Sequence, residues 1–334
     1  MPPAAAAAKR RRTVSATGGA TDADWPLSAE ELQRYEATGW LHLRGAFSAA
    51  TADRCRELMW RQLDERCGLR RDAPETWCDD SRHVGSNGLN TLSADPAFGD
   101  VGSARLMAAL RQLDRGDAEF VESQPSSSLP SPPKSWGSFL ITFPRRILGS
   151  PHLQPASWRL PRDGVGTGWH WDGCPAAWLD RPSKGVKVFT LFSDVAPRGG
   201  GTLLLEGSHR LLDAFFRTLP EAERAGLKQK PLKKRFNALH PWVAGLTTFA
   251  AATDGASGAA AVQAAEEQQR ISEYMERGTT IDGVPLRVVE CCGEAGDAFL
   301  VDPTMYHSSS PNSAAVPRFM RSTHVTNLQC SDGE

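Results

Sequence analysis

The chain has 334 residues, a formal net charge of −1 and 40% hydrophobic residues. A chain of this size can bury a large core without disulfides, and a net charge near zero excludes an overall field that would draw it to nucleic acid or to an anionic membrane. Its seven cysteines include no CxxC pair, which excludes a disulfide scaffold and predicts a reduced, intracellular and cytoplasmic protein. No run of 18 apolar residues occurs, so we expect no membrane span.

Residues 1–24 are predicted to be a disordered tail or a targeting segment, because they offer few bulky apolar side chains for a core. The basic cluster Lys9–Arg12 fits a nuclear import signal, and the composition, rich in Ala, Arg and Ser/Thr, fits an organelle transit peptide. A solvated tail without a targeting signal explains the same residues, so all three interpretations stay open.

Folded sequence is predicted over residues 25–334, as one domain. Ser28 and Glu31 have the spacing of a capping box, so a helix should begin there, and Gly39 should end it. After this helix we expect a strand and a second helix, over residues 40–44 and 51–69.

The middle of the chain has the pattern of an all-β protein. Residues 138–143 form an apolar run, and short apolar runs alternate with Gly/Pro turns from there to residue 209. Residues 211–280 break this pattern with helical segments, and we interpret them as an insertion between strands of one barrel. Strand character returns in three segments, at residues 286–289, 298–301 and 320–325.

The hexad at residues 168–173, GWHWDG, is the most informative motif. In an extended strand, His170 and Asp172 point to the same face and could share one metal ion. Two histidines and one carboxylate bind Fe(II) in non-haem oxygenases, and they leave coordination positions open for a chelating co-substrate and O₂. A strand-end histidine that is hydrogen-bonded to a carboxylate explains the same spacing.

His307 is the best candidate for the second histidine among the eight in the chain. It follows residues 296–303, a turn that leads into an apolar strand and would carry the histidine into the barrel. Arg318 lies eleven residues later, where its planar guanidinium could bind the far carboxylate of 2-oxoglutarate. Ser309 shares the face of His307 if the strand continues, and it could add a hydroxyl donor. An ordinary strand histidine and a solvent-facing arginine are the alternative interpretations.

Three ordered stretches carry further information: GWHWDG (168–173), LFSDVAPRGGGTLLLEGSHR (191–210) and GDAFLVDPTMYHSSSPNSAAVPRFMR (296–321). Together they resemble the phytanoyl-CoA dioxygenase family of Fe(II)/2-oxoglutarate-dependent oxygenases, over most of residues 27–325 outside the insertion. The resemblance implies a double-stranded β-helix, a cupin-like jelly roll that is mainly β with flanking helices. It also implies roles for five residues, namely the iron ligands His170, Asp172 and His307, and the 2-oxoglutarate anchor Arg318 with Ser309 assisting.

Other side chains are predicted to surround these residues. Lys187, Phe189 and Leu191 should alternate inward on one strand and line the pocket. His209 matches a turn of the family and is interpreted as structural. Three aromatic residues flank the candidate ligands and could shape the substrate pocket, although alternation predicts that about half of them point away into packing: Trp169, Trp171 and Tyr306.

The implied reaction is the hydroxylation of a C–H bond in a small organic metabolite, with consumption of O₂ and release of succinate and CO₂. Family halogenases lack the acidic ligand, so the presence of Asp172 favours hydroxylation. We expect the insertion at residues 211–280 and the loops at residues 144–167 to select the substrate. No motif indicates which metabolite is oxidised or the oligomeric state.

Two alternatives stay open. The first is a non-catalytic jelly-roll protein that binds a small ligand. The second is an oxygenase that acts on nucleic acid or protein, for which the basic stretch Lys228–Arg235 is the supporting feature. Because no aromatic residues are interleaved there as in a base-stacking platform, nucleic acid is the less favoured partner.

Overall fold

The computed structural model of the protein describes most of the predicted folded domain. The described residues are 27–77, 89, 92, 95–115, 138–144, 158–163, 168–172, 185–220, 229–248 and 259–325. The predicted tail at residues 1–24, Gly173 of the hexad and much of the loop region at residues 144–167 lie outside the described residues. Within the described ranges, no helix is both long and apolar enough to cross a bilayer.

The first helix begins and ends as its sequence predicts. The Ser28 hydroxyl accepts a hydrogen bond from the backbone N–H of Glu31 at 3.2 Å, and the Glu31 carboxylate accepts one from the N–H of Ser28 at 2.7 Å. Gly39 ends the helix with a φ of 84°, a left-handed conformation that glycine adopts without a steric penalty. The amino-terminal helices are α1 (Ala29–Thr38), α2 (Ala49–Cys67), α3 (Pro96–Gly99) and α4 (Ala104–Arg115).

Nine described strands form two antiparallel sheets. The five-stranded sheet has the order β1-β7-β3-β9-β2, and the four-stranded sheet has the order β5-β6-β4-β8. Two facing antiparallel sheets with crossing connections are the arrangement of a jelly roll, which agrees with the predicted fold class. The strands are β1 (Trp40–Leu43), β2 (Ser138–Thr142), β3 (Val186–Leu191), β4 (Leu203–Glu206), β5 (Thr279–Ile281), β6 (Val284–Glu290), β7 (Ala298–Val301), β8 (His307–Ser308) and β9 (Arg318–Val325).

The period-two alternation of the strands sorts their side chains into separate cores. Val186 and Val188 of β3 pack outward with apolar residues of α1, α2, α3 and α4. Phe189 and Leu191 of the same strand face inward, where they pack with Leu204 of the opposite sheet. The inward packing predicted for these two residues is therefore confirmed, and the space between the sheets is hereafter called the interior.

The helical insertion lies between β4 and β6, two strands that pair directly with each other. It starts slightly earlier than the predicted residue 211, because its first helix already begins at Ser208, and its end is also shifted, because residues 279–281 form β5. The described helices are α5 (Ser208–Thr218), α6 (Gln229–Leu239), α7 (Pro241–Thr247) and α8 (Ala259–Ile271), and a π-helical turn follows at Ser272–Arg277.

These insertion helices cover the outer face of the four-stranded sheet. Phe216 of α5 and Phe236 of α6 are fully buried in one cluster with Leu203 and Leu205 of β4. Because Leu204, between the two leucines, faces the interior, the described helices lie on the side of the sheet away from the interior. They build a second core, and the prediction that the insertion selects the substrate gains no support from its described part.

Candidate metal and co-substrate site

The two candidate histidines are held together by the backbone. The N–H of His170 donates to the carbonyl of His307 at 2.9 Å, and the N–H of His307 donates to the carbonyl of His170 at 2.8 Å. This antiparallel bridge joins residues that are far apart in the sequence. Trp169 and Trp171 point to the outer core with the insertion helices, so alternation directs His170 and Asp172 into the interior.

The structure brings all three predicted ligands into one cluster. One candidate donor atom from each of His170, Asp172 and His307 lies within 4.8 Å of the others. The Nε2 atom of His170 is 3.9 Å from Asp172 Oδ1, and the Nε2 atom of His307 is 3.7 Å from Asp172 Oδ2. These separations would allow the three side chains to hold one divalent metal ion between them.

Hydrogen bonds at the other ring nitrogens orient both imidazoles. Nδ1 of His170 lies 3.0 Å from the carbonyl of Gly168, and Nδ1 of His307 lies 2.9 Å from the carbonyl of Met305. A carbonyl can only accept, so each Nδ1 carries a proton, and in the neutral ring Nε2 is the nitrogen whose lone pair faces the cluster. This is the support that metal-binding histidines usually receive.

The protonation states also suit a divalent cation. Burial lowers the pKa of His307 to about 4, and the neighbouring His170 adds to this effect. Burial alone would raise the pKa of Asp172, but the charges of His307 and Lys187 outweigh it, so the pKa is lowered. At neutral pH the cluster therefore offers a neutral His307 imidazole and an ionised carboxylate, the forms that bind a metal.

Lys187 reaches across the interior to the candidate ligand Asp172. Its position on β3 was predicted to face inward, but the sequence did not indicate this partner. The Lys187 ammonium contacts Oδ2 of Asp172 and lies 5.8 Å from the ring centroid of Phe189. Alternation along β3 gave the direction of the side chain, whereas the partner depends on how the two sheets face each other.

Arg318 also points into the interior, and its surroundings fit a carboxylate anchor. The residue is only 2% exposed, yet its guanidinium hydrogen-bonds to uncharged groups: the Thr142 hydroxyl, which accepts from Nη2 at 2.6 Å, and the Met320 sulfur at 3.8 Å. Its Nε has no hydrogen-bond partner among the described residues. A buried guanidinium with an unused donor is costly, and a ligand carboxylate would satisfy it.

Arg318 is charged at neutral pH despite this burial. Burial lowers its pKa to about 10, while Cys291 and Glu290 oppose the shift. The Glu290 carboxylate accepts from the backbone N–H groups of Arg198 at 2.7 Å and Gly201 at 3.0 Å. Glu290 is therefore engaged with the turn before β4, so the donors of Arg318 remain available for a ligand.

Thr142 is a residue of the site that sequence reasoning missed. It lies directly opposite Arg318 in the pairing of β2 with β9. A hydroxyl residue at the end of an apolar strand was the only signal in the sequence, and its importance depends on a pairing partner that lies far along the chain.

The prediction for Ser309 rested on a longer strand than the structure has. β8 ends at Ser308, so the alternation that would place Ser309 on the face of His307 does not continue. Ser309 is half-buried just beyond the strand, and its assistance to Arg318 stays a prediction.

His209 lies near the start of α5, where a turn was expected. Its Nε2 is 3.1 Å from the carbonyl of Glu36 in α1, which agrees with the structural role predicted for it. The flanking aromatic residues do not shape the interior, because all three are buried in the outer core beneath the insertion: Trp169, Trp171 and Tyr306.

Residues 35–320 match the family described as phytanoyl-CoA dioxygenase (PhyH). A search of curated proteins found no match.

Among solved structures, the chain is similar to apo EctD from S. alaskensis, with a TM-score of 0.42, 13% identity and coverage of 90% of this chain and 77% of that chain. It is also similar to iron-bound HygX from Streptomyces hygroscopicus, with a TM-score of 0.41, 14% identity and coverage of 90% and 88%. A third similar structure is the carbocyclase SnoK from nogalamycin biosynthesis, with a TM-score of 0.41, 12% identity and coverage of 91% and 89%. Because the family match spans most of the sequence, the chain belongs to the phytanoyl-CoA dioxygenase family.

Proposed function

We propose that the protein is an Fe(II)- and 2-oxoglutarate-dependent dioxygenase that hydroxylates a C–H bond of a small organic metabolite. The overall reaction would convert the substrate, O₂ and 2-oxoglutarate into the hydroxylated product, succinate and CO₂. The observation that carries this proposal is the convergence of His170, Asp172 and His307 on one point of the interior. Two imidazoles and one carboxylate with open positions suit Fe(II) in oxygenases.

Each residue of the site has a distinct task in this proposal. His170 and His307 would hold the metal through Nε2, in orientations set by the carbonyls of Gly168 and Met305. Asp172 would supply a carboxylate oxygen. Bound iron and 2-oxoglutarate would supply the oxidation chemistry, which the protein's side chains cannot perform.

Arg318 would bind the far carboxylate of 2-oxoglutarate. Its Nη2 is oriented by Thr142, and Nε lacks a protein partner among the described residues. The interior between Arg318 and the histidines is apolar, with Leu191 and Leu204 fully buried there. Such walls exclude water and strengthen the charge–charge contact that holds the co-substrate.

Asp172 also favours hydroxylation over halogenation, because its carboxylate would take the position at the metal that a halide would need. This preference depends on the role of Asp172 as a metal ligand. Measuring metal binding by an Asp172 variant would test that role directly.

An anaerobic titration separates the enzyme from a non-catalytic ligand-binding protein. Fe(II) and 2-oxoglutarate added together should produce a weak visible charge-transfer band, whereas either one alone should not. A screen for succinate release across classes of small metabolites would then identify the substrate. Absence of the band in the folded wild-type protein would contradict the proposal.

The structure gives little support to a nucleic-acid substrate. Within the basic stretch, Lys233 is engaged with Asp163 at 2.6 Å and with the carbonyl of Trp169. Lys230 and Lys234 are exposed on α6, in the layer that lies away from the interior. Salt-sensitive retention on DNA or RNA would be the observation that revives this alternative.

A further inference from the structure

The interior holds a second cationic side chain besides Arg318, and the proposed chemistry does not use it. Lys187 is anchored on β3 and its ammonium contacts Asp172. An ammonium has three N–H donors, and the Asp172 contact occupies one of them. Lysine is rarely buried without a charged partner or ligand, and the side chain of Lys187 is only 15% exposed.

Strand register separates the two cations along the interior. Lys187 pairs with His324 on β9, and Leu191 pairs with Met320. Arg318 lies beyond Met320 on the same strand, so it is six residue positions from Lys187 along the sheet, or about 20 Å between backbones. Phe189 lies between them, and its ring is 5.9 Å from the ring of His307. The histidine cluster is therefore between Lys187 and Arg318.

The exposed fraction of the side chains decreases from the Lys187 end of the interior to the Arg318 end. The side chains of His170 and Asp172 are 29% and 32% exposed, whereas His307 is 8% exposed and Arg318 is 2% exposed. Among the described residues, the interior is therefore closed at the Arg318 end and accessible at the end where Lys187 meets Asp172. A molecule that enters after the co-substrate would meet Lys187.

The single negative charge of Asp172 cannot fully neutralise both Lys187 and a bound metal ion. If Asp172 also binds a divalent metal, Lys187 stands close to a second positive charge in a partly buried site, where like charges repel strongly. A chelating 2-oxoglutarate would offset part of the metal's charge, but its far carboxylate would extend toward Arg318 and away from Lys187. An anionic group at the accessible end would give Lys187 a counter-charge of its own.

We propose that Lys187 binds an anionic group of the substrate, of the carboxylate or phosphate class, at the accessible end of the interior. The inference rests on the proposed function, since it requires a metal at Asp172. It deepens that function by naming the class of substrate: a small molecule with an anionic group and an oxidisable C–H bond beside it.

The test is equilibrium binding without turnover. Inorganic phosphate and acetate are titrated anaerobically into wild-type protein loaded with Fe(II) and 2-oxoglutarate, and the shift of the visible band is followed. We expect both anions to bind and the neutral analogue acetamide not to bind. Lys187→Met should weaken anion binding by about tenfold or more and should leave the affinity for 2-oxoglutarate unchanged.

Two further variants control for fold and for overall charge. Lys187→Arg keeps the positive charge and should retain anion binding. Lys234→Met removes an exposed lysine from α6 and should bind anions as the wild type does. Thermal unfolding of each variant shows whether it is folded, and the comparison of acetate with acetamide on wild-type protein tests the charge requirement without any substitution.

Three outcomes would overturn the inference, and they differ from a failure of the proposed function. Equal anion binding by wild type and Lys187→Met would mean that Lys187 is not the anion site. Weaker 2-oxoglutarate binding in Lys187→Met, with anion binding retained, would assign Lys187 to the co-substrate. Equal binding of acetate and acetamide would remove the charge requirement. If the wild type formed no complex with Fe(II) and 2-oxoglutarate, the proposed function would itself fail.

Discussion

The two ends of the interior surround a cationic side chain with different partners, uncharged groups at one end and a carboxylate at the other. At the closed end, Arg318 is 2% exposed and its contacts are a hydroxyl and a thioether. At the accessible end, Lys187 contacts the ionised carboxylate of Asp172. A buried charge without an opposite charge is costly, so under the proposed function a ligand carboxylate would stabilise Arg318 at the closed end. At the accessible end Asp172 already stabilises Lys187, and a bound metal would compete for this carboxylate. This difference is the basis on which we propose Arg318 as the co-substrate anchor and Lys187 as a residue that contacts the substrate.

The largest effect is expected at the cluster of His170, Asp172 and His307. Asp172→Ala should abolish tight Fe(II) binding and substrate-dependent succinate formation, because it removes the only carboxylate of the triad; His170→Ala should do the same. Fe(II) titration and a succinate assay measure both losses. Asp100→Asn, which alters an exposed ion pair with Arg54, is the matched control and should bind iron normally. Normal turnover in Asp172→Ala would show that the metal lies elsewhere.

The next effect concerns the closed end alone. Arg318→Met should raise the 2-oxoglutarate concentration needed for complex formation by about a hundredfold, since two charge-assisted hydrogen bonds are lost, while Fe(II) affinity stays unchanged. Anaerobic titration of the visible band measures both quantities.

Arg321→Met provides the control for this substitution. Arg321 is buried on the same strand but faces outward, with its guanidinium 4.5 Å from the ring centroid of Phe139 and 5.2 Å from that of Phe98. We expect this variant to be less stable and to bind 2-oxoglutarate normally. A similar loss of co-substrate affinity in both variants would contradict the assignment of Arg318.

A smaller effect is expected from the residue that orients Arg318. Thr142→Val keeps the shape of the side chain but removes the acceptor of Nη2. The free energy of unfolding should fall by about 1 to 3 kcal/mol, and 2-oxoglutarate should bind several-fold more weakly. Ile141→Val, on the outward face of the same strand, should cost about 1 kcal/mol without any change in co-substrate affinity. If both variants bound 2-oxoglutarate equally, Thr142 would have no positioning role.

The smallest effect lies outside the interior, in the insertion layer. Burial lowers the pKa of His240 below its ordinary value of 6.5, and Asp282 partly opposes the shift. The unfolded chain therefore takes up this proton at a higher pH than the folded protein, and His240 should make the fold less stable as the pH falls below 6.5.

Unfolding measured at pH 7.5 and 5.5 should show a smaller pH dependence for His240→Gln than for the wild type. Metal and 2-oxoglutarate binding at pH 7.5 should be the same in both proteins, because the insertion helices lie on the far side of the sheet. An altered affinity in the variant would mean that the insertion layer and the interior are coupled.

Much of the candidate site follows from local rules. The His-x-Asp spacing places two side chains on one face of any extended segment, and alternation on β3 correctly directs Lys187, Phe189 and Leu191 inward. The apolar runs indicated an all-β pattern, and the resemblance to the family implied the jelly roll. The role predicted for Ser309 was less secure, because it required β8 to continue past Ser308, and strand length depends on pairing with a neighbour.

By itself, the sequence determined which side chains share a face within an extended segment and which chemical groups are available, because backbone geometry within an element is local. Only the tertiary structure decided their partners: His170 with His307, Thr142 with Arg318, and Lys187 with Asp172. The same holds for the position of the insertion on the outer face of the four-stranded sheet. The physical reason is that these contacts join residues far apart in the chain, and their geometry is set by strand register and by the way two sheets pack.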